Sequence, residues 1–129
     1  PLDLIAPYRL EMSIKLPNKM GKNLYNFWQE KLTQKLGKEK SEYIVNLASQ
    51  EYSSAIEKLN KKIINIAFKE KQNDQYKIIG IHAKKARGMM ANFIIRNKIN
   101  TPEDLKSFKL NNYRFIPEFS SKEEYVFAR

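Results

Sequence analysis

The chain has 129 residues, the size of one domain, with 42% hydrophobic and 29% charged residues, so wholesale disorder is not expected. It has no cysteine and a single histidine, which excludes disulfides, thiolate metal sites, a cysteine nucleophile and any multi-histidine metal centre. No apolar run approaches the ~20 residues of a membrane-spanning helix, and no membrane partner is expected. Lys and Arg number 24 against 14 Asp and Glu, for a net charge of +10. Residues 61–129 hold fifteen of those cations against seven acids, so an anionic partner should meet the second half.

The opening Pro1-Leu2-Asp3-Leu4 lacks an initiator Met and a signal-peptide pattern, and reads as a piece cut from a longer chain. Three of the five prolines fall in the first twenty residues, which read as extended loop. Leu24, Phe27, Trp28, Lys31, Leu32 and Leu36 fall at three- and four-residue spacing and predict an amphipathic helix over 22–36, stopped by Gly37, with Phe27 and Trp28 in the core. Tyr43 to Ala48 predicts a buried strand. Ser49 then caps a helix running to about Leu59, with Glu51 in its first turn.

Residues 62–68 and 76–81 predict two strands of a hairpin with a longer loop, in which Asn73-Asp74 is a turn signal. A helix is expected from Ala83 to Asn97, with Ala83, Ala86, Met90, Phe93 and Ile94 on its apolar stripe. Thr101-Pro102-Glu103-Asp104 is a strong helix start: a cap, a proline at the first position and acids in the first turn. The pairs Tyr113/Phe115 and Tyr125/Phe127 predict edge strands. The sum is one α/β domain over 1–129, a mixed sheet with packed helices.

Three features are candidates for chemistry. Lys84-Lys85-Ala86-Arg87-Gly88 is placed by this reading at a strand-to-helix junction, in the first turn of the helix. Free N–H groups there attract phosphate, whereas cations there oppose the helix macrodipole and cost stability unless an anion is bound. The plain alternative is an exposed basic turn. Gly88 inside the helix costs ~1 kcal/mol against alanine, which calls for either a close approach or a packing reason.

In the extended segment Pro7-Tyr8-Arg9-Leu10-Glu11-Met12, Arg9 and Glu11 point to one side, either as a surface ion pair or as a phosphate grip held by its carboxylate. Asn46, Ser49 and Glu51, beside Tyr52, offer an amide, a hydroxyl and a carboxylate at a strand's carboxyl end, the usual place for a ligand in an α/β sheet. A simply capped helix explains the same residues. His82 has no base–nucleophile partner. There is no Walker loop, dinucleotide glycine fingerprint or zinc-finger pattern.

Taken together, Pro7-Tyr8-Arg9-Leu10-Glu11-Met12, Leu24-Tyr25-Asn26-Phe27-Trp28, Asn46-Leu47-Ala48-Ser49-Gln50-Glu51-Tyr52 and Ala83-Lys84-Lys85-Ala86-Arg87-Gly88-Met89-Met90 resemble, in order and spacing, the bacterial YaaA family of peroxide-stress proteins. The closing Glu124-Tyr125-Val126-Phe127-Ala128-Arg129 is similar to that family's end. The family is about twice this length, so the chain resembles its C-terminal half, and the missing N-terminal half is an expected partner. Ser13 and Asn112 stand where the family usually has glycine.

The resemblance implies a cytoplasmic protein that supports survival of hydrogen peroxide, is associated with lowering unincorporated iron, and binds DNA through a basic cleft. It implies no particular reaction and no cofactor. Carried over by motif, DNA contact falls to Arg9, Lys84, Lys85 and Arg87, while Tyr8, Glu11, Asn46, Ser49, Glu51, Tyr52 and Gly88 are motif positions without assigned roles. The competing reading is an enzyme acting on nucleic acid or a nucleotide, with Glu11 or Glu51 as acid or base and Arg9 and Lys84 as phosphate clamps. Direct iron handling ranks last, since only hard oxygen ligands are available and no acidic cluster has an iron-site pattern.

Overall fold

The computed structural model describes residues 11–15 and 23–129. The chain divides into two compact units, one of residues 1–39 and 49–60 and the other of residues 40–48 and 61–129. No helix of the described residues is long and apolar enough to cross a membrane.

The first unit contains helix α1 (Leu24–Gly37) and the short helix α2 (Gln50–Ser53). Asn23 caps α1 by accepting a hydrogen bond from the Asn26 amide at 3.0 Å, one residue after the expected start at 22. α1 packs against a 3-10 turn at Ser54–Ile56, in which Ala55 is buried. The expected helix to Leu59 is therefore one α turn followed by this tighter turn. Phe27 and Trp28 are not core as expected: α1 buries no residue, and Trp28 is 42% exposed. Adjacent helical residues point about 100° apart and cannot both face one neighbour. The two rings instead meet edge to face at 5.1 Å, with the Lys31 ammonium 4.1 Å from the Phe27 centroid.

The second unit is a five-stranded mixed sheet, β1 (Tyr43–Asn46), β2 (Lys62–Gln72), β3 (Gln75–Lys77), β4 (Arg114–Phe115) and β5 (Glu124–Ala128), with helices α3 (Gly80–Arg96) and α4 (Pro102–Leu105). The strand order is β1-β2-β5-β4, and β3 forms a hairpin on β2. β2 runs parallel to both β1 and β5, and β4 is antiparallel to β5.

Alternation along β2 puts Ile64, Ile66 and Phe68 on one face, beside Tyr125 and Phe127 of β5. Ala83, Ala86 and Met90 of α3 cover them, and Leu105, Phe108 and Tyr113 close the same cluster. The mixed α/β class read from sequence is the one observed.

Four local expectations are corrected. β1 is an edge strand, half-buried along its length rather than buried. β5 is no edge: it lies between β2 and β4, which is why Val126 and Ala128 on its second face are buried as well. The strand expected over 76–81 pairs only through Lys77, because α3 begins at Gly80, leaving Ile78 and Ile81 strongly exposed. The turn falls at Asn73-Asp74 as read, but the longer loop is not there: β2 runs on to Gln72, which pairs with Gln75, and both turn residues are left-handed (φ 47° and 62°), the geometry of a tight mirror-image hairpin turn.

Candidate functional site

α3 carries the cationic motif. Its first residue is Gly80, and Ile79 before it makes no side-chain cap. Lys84 and Lys85 are therefore the fifth and sixth helical residues, not members of the first turn. The expected conflict with the macrodipole falls away, because that field is concentrated in the first turn. Both lysines are exposed, with no ion pair or hydrogen bond among the described residues. Arg87 is half-buried and folds back to donate its Nε–H to the Ala83 carbonyl at 3.3 Å.

Gly88 is exposed, and a Cβ built there meets nothing within 4 Å. Packing among the described residues does not explain the glycine. Gly88→Ala should therefore raise stability by about 0.5–1 kcal/mol, read as a higher urea midpoint. No gain in midpoint would show a constraint on the backbone at this position.

Asn46 is occupied structurally. Its Nδ2 donates to Asn65 Oδ1 at 2.7 Å, and its Oδ1 accepts from the Ala48 amide at 3.0 Å. Asn65 in turn donates to the Glu123 carbonyl at 3.3 Å. This relay fastens the end of β1 to β2, and β2 to the approach to β5. In the first unit, Ser49 holds the N-cap position of α2, but its hydroxyl makes no cap bond; its carbonyl accepts from Tyr52 and Ser53, both at 2.9 Å. Glu51 is half-buried, while Tyr52 and Glu11 are exposed. Neither carboxylate has a hydrogen-bonding or ion-pair partner for its side chain among the described residues. Tyr8 and Arg9 lie outside the described residues. The structure thus gathers Lys84, Lys85, Arg87 and Gly88 on one helix, and places Glu11, Ser49, Glu51 and Tyr52 in the other unit.

A polar cluster in the second unit was not among the sequence candidates. Glu70 accepts from Arg129 Nε at 3.0 Å and 2.8 Å through its two oxygens, and from the Tyr113 hydroxyl. The Arg129 guanidinium lies over the Tyr113 ring, 4.7 Å from its centroid, and its Nη1 donates to the Asn111 carbonyl at 3.2 Å. Burial alone would raise the Glu70 pKa; the hydrogen bonds from Arg129 and Tyr113, with the Arg129 charge, outweigh it and hold the carboxyl below its usual range. Burial, then the bond to Glu70 and its charge, push the Tyr113 phenol up to about 12. The signal was available in β2: Glu70 continues the even-numbered series Ile64, Ile66, Phe68 onto the core side, where a carboxylate requires a cation.

Asn112 has φ 65°, which accounts for the glycine usual there in the resembled family, and Asn111 beside it has φ 53°. Ser13 is not among the left-handed non-glycine residues of the described chain, so backbone sign does not account for a glycine at that position. Among the described residues no group of three or more His, Asp or Glu is placed to hold a metal ion.

These features define a strongly basic α/β protein with exposed cations on several elements, two of them side by side on a helix over a mixed sheet. Residues 1–119 match the family model for the peroxide stress protein YaaA. The chain is 50% identical over 133 residues to a UPF0246 protein of Acaryochloris marina, covering all of this chain and 53% of that protein. It is 50% identical over 135 residues to a UPF0246 protein of Idiomarina loihiensis, covering all of this chain and 52% of that one. The chain belongs to the YaaA peroxide-stress family, and it spans about half the length of the curated relatives it matches.

Proposed function

We propose that the chain is the C-terminal part of a cytoplasmic peroxide-stress protein that binds DNA, with Lys84, Lys85 and Arg87 gripping phosphates. The observation that carries this reading is the solvent face of α3: two exposed lysines, unpaired among the described residues, one turn before a glycine against which no described residue packs. Around it, residues 61–129 hold fifteen cations against seven acids. Phosphate contacts of this kind release condensed counterions and carry no base sequence information, so binding is salt-dependent and tolerant of sequence. Lowering of unincorporated iron, implied by the family, is then an activity of the whole protein, to which this half contributes DNA attachment.

Duplex DNA binding measured across a salt series is expected to give a steep negative dependence of log K on log salt. In the Lys84→Ala/Lys85→Ala variant that slope should fall by about 0.9 for each phosphate that is no longer neutralised. A flat salt response, or an unchanged slope in the double variant, rejects this reading.

A further inference from the structure

On the second face of the sheet an open groove of about 650 Å³ is lined by Tyr76, Asn112, Arg114, Ile116, Ala128 and Arg129. That volume lies in the ~300–1,000 Å³ range of small-ligand sites. Register explains the hollow. Arg114 lies directly opposite Ala128 in the β4–β5 ladder, so the two project to the same face, and the alanine methyl makes a shallow floor.

The two arginines differ in a useful way. Arg129 is held by Glu70, the Asn111 carbonyl and the Tyr113 ring, while its Nη2 makes no hydrogen bond within the described chain. Its guanidinium is thereby fixed with Glu70 on the core side of the sheet, opposite the face of Arg114, and Arg129 only bounds the end of the groove. Arg114 is exposed and has no anionic partner among the described residues.

Aromatic surface adjoins these cations. Tyr76, 37% exposed, meets Phe119, 43% exposed, edge to face at 5.1 Å. The Lys69 ammonium lies 5.5 Å from the Phe119 centroid. A simple anion needs no ring, and an apolar ligand needs no arginine. A planar heterocycle carrying phosphate uses both: base on the exposed ring, phosphate on the guanidinium fork, and the Asn112 amide at the rim.

We propose that this groove is a binding site for a nucleoside phosphate, stacked on Tyr76 with its phosphate held by Arg114 and by Lys69, which flanks Ala128 in the same cross-strand row. The ligand is either a free mononucleotide or one nucleotide of a single strand, and both present the same chemistry. The site uses no residue of α3, so it stands or falls separately from DNA binding by Lys84 and Lys85.

The test is a titration of the protein with a mononucleotide, with inorganic phosphate and with a labelled oligothymidylate, in parallel on four variants. Arg114→Gln, an exposed change, should weaken mononucleotide binding at least about tenfold through loss of a charged fork. Tyr76→Ala should weaken it about tenfold through loss of stacking, and Tyr76→Phe should restore it. Lys84→Ala/Lys85→Ala should leave it unchanged even where duplex binding is lost. An oligothymidylate displaced by the mononucleotide assigns the site to a strand, whereas a mononucleotide that binds without such competition assigns it to the free ligand. Mononucleotide affinity equal to that of inorganic phosphate overturns the proposal, as does undiminished binding in Arg114→Gln. Because Tyr76 is part of the hairpin, a Tyr76→Ala variant with an altered circular-dichroism spectrum passes the decision to Arg114→Gln.

Discussion

Phe127→Ala is expected to cost about 3–5 kcal/mol of folding stability, a large share of the ~5–15 kcal/mol that holds a typical domain. Phe127 is fully buried in the central strand β5. Its ring meets Phe68 at 5.6 Å, Phe108 at 5.6 Å and Phe115 at 5.8 Å, which joins β2, the segment after α4, and β4 in one aromatic cluster. Truncation removes the transfer energy of the ring and leaves a cavity that three rigid neighbours are poorly able to fill. Two of these pairs, with Phe108 and Phe115, are edge to face and contribute ~0.5–1.5 kcal/mol each beyond burial, so the loss should sit at the upper end for an aromatic deletion. Phe127→Leu, which keeps most of the volume, should cost clearly less. Urea unfolding followed by circular dichroism checks both; a loss below about 1 kcal/mol for the alanine variant would show that the cluster collapses onto the gap.

The elements legible in the sequence were those fixed by local chemistry. Thr101 accepts from the Asp104 amide and Pro102 occupies the first turn of α4, as the four-residue signature required. Asn73 and Asp74 form the hairpin turn because short polar side chains tolerate the left-handed region. The errors arose where neighbours in space decide. Ile78, Ile79 and Ile81 are β-branched and read as strand, yet no partner strand among the described residues reaches them, and the chain turns into α3 at Gly80 instead. That shift of three residues moved Lys84 and Lys85 out of the first turn and removed one physical argument for an anion there, leaving their exposure as the stronger one.

The central position of β5 was hidden for a related reason. Alternation identified Tyr125 and Phe127, but the strand's two partners come from distant segments, and only the continuous apolar run Tyr125–Ala128 hints at burial on both faces. In the same way, Asn46 looked like a ligand because it ends a strand. Its amide is spent on Asn65, a partner that parallel pairing alone brings opposite.

The Glu70–Tyr113–Arg129 cluster should set both pH limits of the second unit. Glu70 has a folded pKa below its ordinary 4.5, so its contribution is complete above that value and fades as pH falls through the lower folded value. Tyr113 shifts the other way: its phenol ordinarily ionises at 10.0 and in the fold at about 12, so the neutral hydroxyl's contribution is complete below pH 10 and is lost as pH rises towards 12. A shift of that size corresponds to on the order of 2–3 kcal/mol. Tyr125, raised by burial and by the Glu103 charge, adds to the alkaline limb. Stability should therefore be level between about pH 5 and 10 as far as these groups are concerned. Glu70→Ala leaves the Arg129 guanidinium over Tyr113 without its carboxylate and should cost about 2–3 kcal/mol at neutral pH, a loss that shrinks in acid where the wild-type carboxylate is itself protonated. Tyr113→Phe should flatten the alkaline limb while keeping the aromatic packing. Tyrosinate absorbance recorded through an alkaline titration separates the possibilities: a late-ionising tyrosine signal that appears only together with unfolding and is smaller by one tyrosine in Tyr113→Phe supports the cluster, whereas all tyrosines titrating near pH 10 in folded protein would refute it.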